Sequence, residues 1–161
     1  MSKTTLAAAM KIIEALAPAA DAGGRSSDIV SLKNAGRANI LVSIAQGNAA
    51  PVALAVMQAT DVSGAGAKAL GNAGRIWSNA DTSLSDTLVR QPDGVGFTTS
   101  AALKNKQVLF EVDATLLDVE GGYDCVFVTT GASNAANITA AIFLLDDLRY
   151  QQETPPSGLV D

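Results

Sequence analysis

The sequence predicts an all-β fold: an antiparallel β-sandwich, jelly-roll-like, with a short N-terminal helical arm before it and an extended C-terminal tail after it. Two observations carry this. From Asp28 onward the apolar residues recur with period two, the signature of strands with one buried face. The alternating runs are short and are separated by Gly, Asn and Asp turns, as in sandwiches built from many short strands. The expected division is an arm and linker over residues 1–24, a sandwich domain over 25–150 and a proline-containing tail over 151–161.

Residues 4–17 show helical spacing. Leu6, Met10, Ile13 and Ala17 fall on one stripe, broadened by Ala9, Ile12 and Leu16. Ser2, Thr4 or Thr5 can cap the start, and Pro18 marks the end. The small-residue stretch PAADAGGRSS, 18–27, reads as a linker. So short a helix does not hold its shape alone, and it docks either on its own domain or on a neighbour.

The strands follow in order. DIVSLKN sets Val30 and Leu32 on one face. ANILVSIAQ sets Ile40, Val42 and Ile44 against Leu41, Ser43 and Ala45. PVALAVMQA sets Val52, Leu54 and Val56 against Ala53, Ala55 and Met57, with Pro51 at its head. The intervening GNAA reads as a hairpin-type connection. Residues 71–105 are less regular, with strands expected at Arg75–Ser78 and Val95–Ser100 and a turn or loop in TSLSDTLV. KQVLFEVDA places Val108, Phe110 and Val112 inward, and Leu109, Glu111 and Asp113 outward. YDCVFVTTG and NITAAIFLLDD are apolar enough to be buried strands, DVEGGYD carries a Gly-Gly turn, and the tail QQETPPSGLVD leaves the domain extended.

Composition narrows the function classes. A chain of 161 residues is long enough to bury a core without staples. Much of its apolar content of 48% is alanine, with only 4% aromatic residues, so burial per residue is modest and assembly has room to add stability. The net charge is −5 and the eleven Lys and Arg are scattered, so the basic stripe of a nucleic-acid binder is missing. One cysteine and no histidine rule out an internal disulfide, Cys/His zinc sites and histidine triads. Cys125, inside CVFV, reads as a small buried hydrophobe. Lys11 and Glu14 interrupt the apolar core that a signal peptide needs, and no run approaches a spanning length. An intracellularly made chain with no membrane partner is expected.

Candidate motifs weigh little. DVSGAGAKAL, 61–70, has the look of a phosphate loop. It lacks the third glycine of a dinucleotide fingerprint and the Ser or Thr of a Walker loop, and strands flank it, so its glycines read as turn residues. Asp113, Asp118, Glu120 and Asp124 lack EF-hand spacing and read as a solvated rim. Glu111 and Asp113 read as solubilising charges rather than an acid/base pair, and N-I-T at 137–139 opens a buried run.

Four blocks carry a resemblance: S-L-K-N from Ser31; Q-x-x-D-x-x-G-x-G-A-K-A-L from Gln58; E-V-D-x-x-x-L-D-V-x-x-G-Y-D-C-V from Glu111; and L-x-D-x-R-Y from Leu145, before a proline-containing tail. In this order the chain resembles a family of small virion proteins of tailed bacteriophages. The resemblance implies a non-enzymatic structural protein without cofactors, most simply a decoration or cement protein on the capsid surface, made in the host cytoplasm. The major capsid protein is then its partner, and a homo-oligomer, taken as a trimer, its form. The residues expected at the interface are Leu6, Met10, Ile13 and Leu16 on the arm, each worth up to about 1.5–3 kcal/mol when buried, together with Arg149 and Tyr150. The alternatives are a head–tail connector or tail component, and a carbohydrate-binding adhesion module, for which one Trp and two Tyr offer few stacking platforms.

Overall fold

A computed structural model describes residues 4–160. One helical turn, α1 (Leu6–Ala9), precedes twelve strands: β1 (Lys11–Ala20), β2 (Arg25–Ser26), β3 (Val30–Ser31), β4 (Ala35–Gln46), β5 (Ala53–Ala59), β6 (Lys68–Ala69), β7 (Gly74–Asn79), β8 (Val89–Gly94), β9 (Gly96–Thr98), β10 (Asn105–Asp113), β11 (Cys125–Thr130) and β12 (Asn137–Leu148). They form two antiparallel sheets. The larger runs β1-β12-β4-β10-β7-β8 and the smaller β2-β11-β5-β6, with β3 also on β11 and β9 on β5. The fold is the expected all-β sandwich.

The core lies where the two inward faces meet. Across the large sheet the register aligns Ile13, Phe143, Ile40, Phe110 and Ile76 in one row. Val30, Leu54, Val56, Val126 and Val128 of the small sheet belong to the same buried cluster. Phe110, Phe143 and Ile40 are fully buried, so period-two alternation on β4, β10 and β12 is what closes the sandwich. Cys125 is buried on the other face of the small sheet, with Ala59 and Phe127 in a second cluster under Ile29, Met57 and Val62.

Four expectations need correction. The helix over 4–17 stops at Ala9, and residues 11–20 form an edge strand pairing β12 from Lys11↔Leu145 to Ala20↔Ile138. Register slips at Glu14/Leu16 and Leu16/Ala19 bring Ile13, Ala15 and Leu16 all to the core, so bulges in a strand imitate helical spacing. The 18–27 stretch is no loose linker. Asp21, fully buried, accepts hydrogen bonds from Thr130 Oγ1 (3.0 Å) and Thr139 Oγ1 and pairs with Arg25 Nε (3.1 Å), tying β1 to β11 and β12.

GNAA is not a hairpin, because β4 and β5 lie in different sheets and residues 47–52 carry the chain across. Here Asn137, buried, donates to the Ala50 carbonyl (2.8 Å) and accepts from Asn48 N (2.8 Å). The tail does not leave: the Gly158 carbonyl accepts from Ser31 N (2.7 Å) and the Pro155 carbonyl from Lys11 Nζ (3.1 Å). Gly158 lies so close over Leu145 and Ile13 that a Cβ there would come within 2.8 Å of Leu145 Cδ1. In the middle segment β7 and β9 stand where strands are expected, while β8 is additional; its Pro92 and two charges suit only an edge.

Candidate interaction surfaces

At the end of the sandwich where β12 runs into the tail, the glycine loop folds around Asp61. Its Oδ1 accepts from Ser63 N (2.9 Å), Ser63 Oγ (2.6 Å) and Ala65 N (3.0 Å), bonds that hold its carboxyl below the ordinary 3.8, Ser63 Oγ foremost. Gly64 and Gly66 take φ of 89° and 63°, the left-handed region that glycine enters freely. The chain then enters β6 rather than a helix, as the turn reading requires. Lys68 reaches sideways, 2.6 Å from Asp118 Oδ2 and 4.1 Å above the Tyr123 ring, while Tyr123 OH donates to the Gly66 carbonyl (2.8 Å). The hydrogen bond between them lowers the Asp118 pKa and raises that of Lys68. The acidic residues are spread over different cations: Asp118 faces Lys68, Asp124 faces Lys33 and Asp113 faces Arg37.

Of the residues expected at an interface, four belong to this end and two do not. Leu6 (63% exposed) and Tyr150 (59%) stand open to solvent, Met10 is half-buried, and Arg149 is exposed with its N–H on the Asn34 carbonyl (3.0 Å). Ile13 and Leu16 sit in the chain's own core, because β1 is part of the sheet. Arg149 lines a groove of about 330 Å3 with Leu32, Leu117, Val119, Tyr123 and Asp124. Val119, which also lines it, is 66% exposed.

The opposite end holds a residue that motif reading passes over. Lys106 is buried, and its Nζ donates to Gln46 Oε1 (2.7 Å) and to the Ser100 (2.8 Å) and Ala102 (2.6 Å) carbonyls. Burial pushes its pKa below the ordinary 10.5. All three ammonium protons are used within the chain, so Lys106 braces the 99–104 loop beside a cleft of about 230 Å3 and offers no free charge to a ligand. The signal was in the alternation: Lys106 shares the inward parity of Val108, Phe110 and Val112. No such signal marks Asp21, whose threonine partners lie 109 and 118 residues away.

The fold and its surfaces define a class: an antiparallel β-sandwich with exposed apolar side chains at both ends, Leu6, Val119 and Tyr150 at one and Leu84 and Leu103 at the other. Among the described residues no group of three or more Asp, Glu or Cys is placed to hold a metal ion, and no helix is long and apolar enough to cross a membrane. Comparison with protein families, curated proteins and solved structures finds no match for the chain.

Proposed function

We propose that the chain is a structural protein of a bacteriophage virion, a decoration protein that binds the major capsid lattice and braces the head without catalysis or cofactor. The observation that carries this reading is where the four resembling blocks lie. Far apart in sequence, they meet at one end: Asn34 is bonded to Arg149, Leu32 N to the Asp124 carbonyl (2.8 Å), Lys68 to Asp118, and Tyr123 to Gly66. The same end carries the exposed Leu6 and Tyr150, and Val119 lines the groove with Arg149. Apolar side chains exposed together mark a contact surface. Many copies on a lattice multiply shallow contacts through effective concentration, so no deep pocket is needed.

Co-sedimentation with heads lacking decoration tests it. Val119→Asp and Arg149→Glu should abolish binding, while Leu84→Ser at the far end should leave it intact. Binding that survives both substitutions and fails with Leu84→Ser would reject this face. Binding at a single vertex would favour the connector or tail reading, and retention on glycans the adhesion module.

A further inference from the structure

The outward face of a sandwich sheet ordinarily alternates to polar residues. The large sheet departs from this in its middle. Across the register one outward row runs Glu14, Ile142, Leu41, Leu109, Trp77, Arg90 over all six strands. Ile12, 53% exposed, and Leu144 stand opposite each other beside it. The four central side chains are only half-buried. Their relief is uneven. Leu41, Ser43, Ala140 and Ile142 on β4 and β12 enclose a shallow hollow of about 140 Å3, whereas the bulk of Leu109 and Trp77 stands on β10 and β7.

We propose that a second copy of this chain covers this face, related by a two-fold axis parallel to the strands and lying between β4 and β10. That axis exchanges β1 with β8, β12 with β7 and β4 with β10. It sets Leu41 against Leu109, Ile142 against Trp77 and Glu14 against Arg90, each pair twice. The bulk of one copy meets the hollow of the other, and Glu14 of one edge meets Arg90 of the other. A two-fold axis across the strands would instead put Glu14 on Glu14 and the hollow on itself. Charge and relief therefore select one arrangement.

Glu14 takes part in no ion pair among the described residues. Arg90 stacks 5.4 Å above Trp77 and is held by Asp93, which keeps it at the rim where a carboxylate from the second copy arrives. Six strands about 4.8 Å apart, with three outward positions each, make a face of roughly 500 Å2. Pairing then buries about 1,000 Å2 in total, the lower bound of specific interfaces. An interface this small suits a reversible pair that separates on dilution. Because such a face closes at two copies, it gives a dimer in place of the trimer expected from the resemblance. It uses a surface other than the one proposed for the capsid.

Sedimentation velocity of the full chain, from about 1 to 200 μM, tests the pairing without any capsid. The mass should rise from 16.4 kDa toward twice that value. Leu109→Glu should stay monomeric with an unchanged circular dichroism spectrum. Glu14→Arg and Arg90→Glu, both at exposed positions, should each weaken dimerisation about ten-fold, and together restore it to within about three-fold. Should Leu109→Glu fail to fold, this charge exchange decides. A wild-type chain that stays monomeric at the highest concentration, one that forms a trimer, or a double reversal no better than the single ones would overturn the proposal.

Discussion

Lys106 shows how a buried charge can be satisfied yet replaceable. Each oxygen it binds has a second donor: Thr99 Oγ1 on Gln46 Oε1, Gln46 Nε2 on the Ser100 carbonyl, and Lys104 N on the Ala102 carbonyl. Lys106→Met removes a desolvated charge and strands none of them, so it should change stability by less than about 1 kcal/mol in urea unfolding. Lys106→Glu places an acceptor among acceptors and should cost about 3–5 kcal/mol. A loss above about 3 kcal/mol for the methionine variant would show that the charge itself holds the loop. Asp118 and Lys68 give a pH signature. The Asp118 pKa is lowered from 3.8, so its contribution is present above that value and lost as pH falls through the lower folded value. The Lys68 pKa is raised from 10.5, so its contribution is present below that value and lost as pH rises through the higher folded one. Asp118→Asn should flatten the fall of the urea midpoint on the acid side, and an unchanged acid limb would show that the pair is not coupled to folding. Cys125 was legible from its apolar neighbours; Lys106 was not singled out, although it shares the inward parity of Val108. Asp21 was not, because threonines more than a hundred residues away define its surroundings.

At the scale of elements, β4 and β10 were legible because their alternation is long and uninterrupted, and β11 and β12 because they are apolar runs. β1 was not. Its two register slips put Ile13 and Leu16 at helical spacing, and only pairing with a strand at the other end of the chain reveals what it is. The crossing at residues 47–52 was hidden for a related reason: Gly and Asn serve a hairpin and a sheet-to-sheet corner equally well. Deleting residues 1–24 should therefore unfold the domain. It removes an edge strand, three core side chains and the Asp21–Arg25 clasp, and it uncovers β12. Deleting residues 1–9 takes α1 and spares β1, and should leave the thermal midpoint within a few degrees of the full chain. Cooperative melting of the longer deletion near the wild-type temperature would show that β1 is dispensable.

For the molecule as a whole, both edges of the large sheet carry a proline, Pro18 on β1 and Pro92 on β8, which discourages open-ended strand addition. The two proposed contacts accordingly use a face and an end: the outward row of the large sheet for a second copy, and the end that holds Leu6, Val119, Arg149 and Tyr150 for the capsid. Neither surface was legible in advance as a unit. The row is assembled from strands that are not neighbours in sequence, and the end from four loops and a tail that doubles back. Only the residue types were visible, and two of the six residues expected at an interface turned out to build the core. The proposed decoration of a phage head is tested most directly by electron cryo-microscopy of the virions proposed to carry this chain. The expected result is ordered density for many copies over the head shell, with the Val119 and Tyr150 end toward the capsid. A shell without such density, or density confined to one vertex, would contradict it.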